Sequence, residues 1–589
     1  MRNLFLVALS VALMLTPTAS AQRVSADGAA QTFGFLTDQY FDQVYFHFAP
    51  TLGTTAGLHQ YDTQLEDYSA DAVQKEITAL HDFEKKLLEI DPTALDAAPA
   101  ADYAILLNNV RAGLLELEVI RPGEKNPDIY SSGVTNSIFA IMERAYAPSN
   151  VRLKAVIARE KLIPQVFTEA RKNLKNPPRI YTEIAIEQID GSISFFENDV
   201  PEAFKDADDK AELAEFQKTN AAVIAAMKDY AAWMRSDLLP RSNGDFKYGA
   251  DTFQKALAFN EMVDIPLARL LEIAAADLHK NQSEFARIAK EIDPTKTPQE
   301  ELAELAAIHP APADLLQAFK ARFNSEIDFI RSHHIITIPS NVQPTLEETP
   351  PFERATTQAS MDPPGPFETH STKAYFFVTL PESSWPKDKT EEYMAAFNVG
   401  TIVSTSVHEA YPGHYIQFLW TPQFPSKIRK LLGANTNIEG WAHYCEQMML
   451  DEGYGAPGIG AKDDRESKLI RLGQLQDALL RDARFVVSIR LHTGVGGPMS
   501  TEQAEDFFVN EGYQARPIAE VETKRGTSDA LYLYYTLGKL EIMKLREDVR
   551  KQQGAAFSLE KFHDDLMRQG FAPIKVIRKA MLHNDSPVL

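Results

Sequence analysis

At 589 residues the chain exceeds one ordinary domain, and its 44% hydrophobic and 24% charged residues are those of a folded globular protein. A formal charge of −22 argues against nucleic acid and anionic membrane surfaces as partners. The single cysteine, Cys445, excludes an internal disulfide.

Residues 1–21 read as an export signal. Met1-Arg2-Asn3 is a short positive segment, residues 4–15 are apolar, and Ala19-Ser20-Ala21 forms a cleavage site before Gln22. A periplasmic or secreted mature chain is therefore expected. The signal holds no cysteine, so no lipid anchor is expected, and no later apolar run reaches the ~18 residues of a membrane span.

Between residues 30 and 330 apolar side chains recur every three or four positions, as in 33–48, 100–118, 151–174, 221–234, 267–288 and 300–308. Turn signals such as Arg121-Pro122-Gly123 and Asn176-Pro177-Pro178 punctuate them. Residues 335–338 and 375–380 are β-type runs, and residues 339–386 hold nine of the 34 prolines. This predicts a small irregular sheet, either an edge that pairs with an extended peptide or a structural cover for the core. His333 and His334 would point to opposite sides of a strand, so no second metal site is expected there. From Met394 the chain reads as helical again. The sum is a mainly α fold of roughly 60% helix, with a small sheet beside the site helix. Two halves, 22–330 and 331–589, are expected to enclose a deep cleft.

The chemistry concentrates in residues 406–415. His408-Glu409 followed by His414 is close to H-E-x-x-H, in which two imidazoles on one helix face hold zinc and the carboxylate acts as general base. The second histidine comes at i+6, however, which on a regular helix leaves the rings about 120° apart instead of about 40°. Pro412-Gly413 predicts a broken turn that swings His414 back. A catalytic zinc takes a third protein ligand, and Glu439 follows His414 by 25 residues on a second predicted helix. Glu439, His443 and Glu446 share one face of that helix, with Asn437 as its expected N-cap. Cys445, inside the same helix, reads as a buried inert thiol rather than a nucleophile.

His408-Glu409-Ala410-Tyr411-Pro412-Gly413-His414 and Glu439-Gly440-Trp441 resemble the H-E-x-x-P-G-H and E-G-W motifs of the DUF885 family. That bacterial family is related to helical zinc peptidases of the gluzincin type, including angiotensin-converting enzyme, thimet oligopeptidase and carboxypeptidase Taq relatives. The resemblance covers most of the mature chain. It implies a large bilobed metallopeptidase-like fold, zinc held by His408, His414 and Glu439, and Glu409 as base.

The run 525–540 resembles the family's Tyr-x-x-Gly-Lys-Leu segment, which implies a tyrosine donor to the oxyanion. Tyr535 is at the matching position, Tyr532 is one turn earlier, and packing is the alternative for both. Arg525 is expected either to grip a substrate carboxylate or to pair with Asp529. His492 is expected near the cleft, while Ser488 stands where family members often carry Asp. His443 replaces a more usual apolar residue and reads as packing, and Glu446 as a carboxylate that orients a ligand imidazole. The expectation is an exported zinc metallopeptidase of short peptides, of oligopeptidase, dipeptidase or carboxypeptidase type, with the oligomeric state open. The rivals are a zinc hydrolase of a non-peptide amide or ester, a non-catalytic helical peptide-binding protein, and a cysteine hydrolase through Cys445.

Overall fold

Apolar residues at helical spacing become helix almost throughout: the computed structural model is 70% helix and 3% strand. It describes residues 26–350, 353–354 and 357–589, and the export signal lies outside them. Helices α1 (Ala26–Tyr40) and α2 (Ala97–Leu115) precede α3 (Asp128–Met142), α4 (Arg179–Ser194) and α5 (Lys210–Trp233). The last three share an apolar core that includes Val134, Ile138, Ile189, Val223 and Tyr230. Next come α6 (Leu267–Ile292) and α7 (Leu315–Ser332). The largest core takes Phe41, Leu106 and Phe319 from before residue 330 and Val407, Trp441 and Ile577 from after it. None of the described helices is long and apolar enough to cross a membrane.

Strands β1 (Thr345–Glu348), β2 (Ala359–Asp362) and β3 (Tyr375–Val378) form a sheet of order β1-β3-β2, with β3 parallel to β1 and antiparallel to β2. The 375–380 run therefore lies in the centre of the sheet, flanked on both sides, and cannot be the peptide-pairing edge. Residues 335–338, predicted as strand, are irregular. Side chains satisfy their backbone there: His563 Nδ1 meets the Ile335 carbonyl at 2.7 Å, and Asp564 accepts from Thr337 N at 3.0 Å. With those groups engaged, the run has no strand neighbour. His333 and His334 close α7 instead of starting a strand, and the His333 ring stacks on Phe329 at 4.0 Å.

The remaining helices build the site: α8 (Val399–Glu409), α9 (His414–Leu419), α10 (Asn435–Asp451), α11 (Asp464–Thr493), α12 (Arg516–Ser528) and α13 (Tyr534–Gln553). Asn398 caps α8, accepting from the amides of Gly400 and Thr401 at 3.0 and 3.1 Å. Two glycine-on-glycine crossings set the spacing. A β-carbon on Gly473 of α11 would lie 2.5 Å from Cα of Gly400 on α8, and one on Gly440 of α10 would lie 2.6 Å from Cα of Gly538 on α13. These crossings let α8 meet α11, and α10 meet α13, backbone to backbone.

Asn437 is not the N-cap of α10. That helix begins at Asn435, and Asn437 sits inside it, donating to the Gly570 and Ala572 carbonyls at 2.9 and 2.8 Å. The capping acceptor comes from far away in sequence: Glu261 takes the Thr436 amide and hydroxyl, each at 2.8 Å.

A methyl at Gly538 would collide with the Thr436 carbonyl and Cα of Gly440, whereas one at Gly34 of α1 meets nothing within 4 Å. Gly538→Ala is therefore expected to cost about 1–3 kcal/mol and lower the melting temperature. Gly34→Ala is expected to leave it unchanged or raise it. Parallel thermal melts of the two variants check this.

Candidate metal centre

His408 and Glu409 are the last two residues of α8, both buried. The chain leaves the helix at Ala410, passes a cis Tyr411–Pro412 bond, and resumes helix at His414. Gly413 turns back so far that its amide bonds to the Val407 carbonyl at 2.9 Å, and a β-carbon there would collide with the His408 carbonyl. The two imidazoles consequently lie 4.8 Å apart, centre to centre, with planes at 88°. Trp441 of the E-G-W motif is fully buried, and its indole N–H donates to the Pro412 carbonyl at 3.0 Å. It pins the broken turn against α10.

Glu439 reaches into the same space from α10, with Oε2 3.3 Å from His408 Nε2 and 3.4 Å from His414 Nε2. All three donor atoms lie within 4.8 Å of one another, the one such group among the described residues. Two ligands about 2.0–2.1 Å from a tetrahedral zinc stand about 3.3 Å apart. The two measured separations match that edge. Glu439 Oε2 and His414 Nδ1 are both buried, and neither has a geometrically well-formed hydrogen bond among the described residues. These donors fit zinc. The Glu439 side chain keeps 23% of its exposure, although its Oε2 is buried.

Behind the ligands stands Glu446. Its Oε1 meets His408 Nδ1 at 2.6 Å and Arg481 at 3.1 Å, and its Oε2 meets His443 Nδ1 at 3.1 Å. In the neutral ring, an Nδ1–H donated to this carboxylate leaves the Nε2 lone pair of His408 facing the centre. Burial pulls the His408 imidazolium down, but Glu439 and Glu446 outweigh it and raise its pKa to about 9. Burial pushes Glu439 up, and the two histidines more than reverse this, holding it well below the usual carboxylate range. The pocket thus favours positive charge between these groups. His443 differs: burial lowers it to about 3 and keeps it neutral.

The Glu409 side chain is buried beside His408, with Oε2 lacking a hydrogen-bond partner. The Tyr535 ring lies 6.4 Å from that of His408, and its hydroxyl accepts from Arg525 at 3.0 Å. Burial raises the Tyr535 phenol above its ordinary value; Arg525 opposes the shift and Glu439 adds to it. The phenol stays protonated. Arg525 also pairs with Asp529 at 3.4 Å, the structural partner expected of it, and its side chain keeps 31% of its exposure.

Two predicted site residues are not brought to the centre. Tyr532 is sealed in an apolar cluster with Val487, Leu491 and Phe508, against Gly526. His492 donates through Nε2 to the Gly526 carbonyl, 2.7 Å away, among the rings of Phe246, Tyr248 and Phe253. Burial lowers His492 to about 4, so Nε2 is the protonated, donating nitrogen of a neutral ring that acts as packing. Ser488 likewise serves structure, donating to the Ala530 carbonyl at 2.6 Å. Cys445 is fully buried, and burial pushes its thiol well above the ordinary value, away from the thiolate a nucleophile needs.

Sequence reasoning missed Arg481 and Arg484 of α11. Their guanidiniums lie 5.7 and 4.8 Å from the Tyr535 ring centre. The available signal is the Asp477, Arg481, Arg484 spacing of i, i+4, i+7 on one helix face. Lys539, of the Gly-Lys-Leu segment, is fully buried and bonds Asp277 of α6 at 2.7 Å, locking α13 in place. A separate cavity of about 480 Å³ lies between α3, α4 and the sheet, lined by residues including Asp128, Gln188, Asp362 and Phe377, and does not contain the centre.

Two solved structures share this fold. A candidate lipoprotein of unknown function from Shewanella oneidensis is 25% identical with a TM-score of 0.75, covering 94% of this chain and 99% of its own. A candidate lipoprotein from Colwellia psychrerythraea is 17% identical with a TM-score of 0.77, covering 95% of this chain and 99% of its own. No curated protein matches the chain. The family model described as "Bacterial protein of unknown function (DUF885)" matches residues 50–581, and the chain belongs to that DUF885 family.

Proposed function

We propose that the protein is a zinc-dependent hydrolase of short peptides working outside the cytoplasm. The observation that carries this reading is the approach of Glu439 Oε2 to His408 Nε2 and His414 Nε2, at 3.3 and 3.4 Å, two separations that equal the edge of a tetrahedral zinc site. Those three atoms would hold the ion. Bound there, zinc supplies Lewis acidity toward a substrate carbonyl and toward water. The address rests on the signal at residues 1–21 and on the likeness to two candidate lipoproteins.

The chain's own groups supply the proton traffic. Glu409, the residue after His408, has a buried carboxylate oxygen with no hydrogen-bond partner, suited to accept a proton from water and return it to the leaving amine. The protonated Tyr535 hydroxyl already accepts from Arg525, so its own hydrogen is free to point at a developing oxyanion. Glu446 fixes the His408 tautomer, and Arg481 holds Glu446 in turn. The full burial and raised pKa of Cys445 weigh against a thiol mechanism.

Metal analysis of purified protein is expected to find one zinc per chain. Glu409→Gln should keep that zinc and lose peptide turnover by about two orders of magnitude or more. Retained turnover after zinc loss would defeat the reading. Tyr535→Phe should lower kcat by roughly 10²–10³ with zinc retained, as for removal of an oxyanion donor. Tyr532→Phe, sealed away from the centre, should leave turnover within about twofold, and steady-state kinetics on the pair separates them. Glu446→Gln is expected to weaken zinc binding by about 10- to 100-fold, read by competition with a chromogenic chelator.

A further inference from the structure

Three guanidiniums surround the Tyr535 ring, and two of them are already engaged. Arg481 pairs with Glu446 at 3.1 Å, and Arg484 forks onto Glu522 through bonds of 2.6 and 2.8 Å. Arg525 is different. Its one ion pair among the described residues is with Asp529, at 3.4 Å, and the same carboxylate oxygen also takes the Tyr534 hydroxyl at 2.8 Å. Both Arg525 contacts, to Asp529 and to Tyr535, use Nη2. Nε and Nη1 make no hydrogen bond with the described residues, and the side chain keeps 31% of its exposure. A guanidinium carries five N–H donors in a planar fork matched to a carboxylate, and here the three on Nε and Nη1 have no partner among the described residues.

Its reach from the centre is bounded. The Arg525 guanidinium lies 5.7 Å from the Tyr535 ring centre, which lies 6.4 Å from the His408 ring. No more than about 12 Å therefore separates the guanidinium from that ring. An extended chain advances about 3.3–3.6 Å per residue, so this span accommodates one to three residues between a carbonyl at the centre and an anion at Arg525. An internal peptide segment offers no backbone anion at that distance. A chain end does.

We propose, resting on the hydrolase reading above, that Arg525 holds the free α-carboxylate of a peptide, so that the centre removes one to three residues from carboxyl termini. The rival occupant of the fork is a side-chain carboxylate.

The test uses zinc-loaded Glu409→Gln protein, in which turnover is suppressed. Calorimetry compares an N-acetylated tripeptide acid, its carboxy-terminal amide, and an amide whose last residue is Asp. The acid is expected to bind at least about tenfold tighter than either amide, and Arg525→Gln in this background should erase the preference while Arg525→Lys keeps part of it. Equal binding of acid and plain amide would overturn the proposal, as would an Asp amide that binds like the acid or a preference that survives Arg525→Gln. The three-ligand comparison needs no Arg525 variant, so it stands even if that substitution disturbs folding. In wild-type protein kcat/KM for the acid should exceed that for the amide by roughly 100-fold. Equal cleavage of both would sink carboxyl-end recognition and leave the hydrolase intact. Preferential binding of the acid with no cleavage of any peptide would do the reverse.

Discussion

A helix continued through residues 408–414 would splay its two imidazoles by about 120°. The fold instead folds Gly413 onto the His408 carbonyl, with no room for a side chain, and clamps the turn with the indole of Trp441. Each part of the centre leans on that reversal. It seats the rings at 88° to one another, leaves Glu409 at a helix end, and presents a gap that Glu439 fills from the neighbouring helix. The E-G-W motif then reads as three jobs on one turn of α10: a carboxylate toward the rings, a glycine for the crossing with α13, and an indole for the turn.

Around this turn the protein buries several charged side chains, Glu446, Arg484, Glu522 and Lys539 among them. Buried ions are costly unless paired with good geometry, and here three cations each meet a carboxylate: Arg484 with Glu522, Lys539 with Asp277, and Arg481 with Glu446. These pairs join α11 to α12, α13 to α6, and α11 to α10, so the charged groups brace the helices packed around the centre, with the Glu439 helix α10 among them. Such bracing keeps a polar centre in one geometry before any ligand arrives, which is the condition under which fixed dipoles and donors are most effective.

Much of this was open to reading from the sequence. His408, Glu409, His414 and Glu439 are legible because residue type and spacing carry their chemistry directly, and Pro412-Gly413 announces the broken turn. The mainly helical fold follows from a period that persists over hundreds of residues. What escaped is long-range. Arg481 and Arg484 look like the solvated face of a helix until α11 is seen to be buried along most of its length. The Glu261 cap joins groups 175 residues apart, and no local pattern encodes it. The 335–338 run has strand composition, but side chains of the C-terminal helices take its backbone groups, so composition alone misleads. Tyr532 and Tyr535 differ by three positions, and only the packing of α13 decides which one faces the centre.

The anchoring of α10 has a temporal side. Its first turn is fastened to Phe571 and its neighbours: Ala434 bonds to the Phe571 carbonyl, and Asn437 to those of Gly570 and Ala572. A polypeptide that emerges N-terminus first, from a ribosome or a translocation pore, exposes both imidazoles well before the seat of the carboxylate exists. The third donor can be fixed in place only when nearly the whole chain has arrived, so the three-donor geometry is completed at the end of folding, in whichever compartment that end occurs.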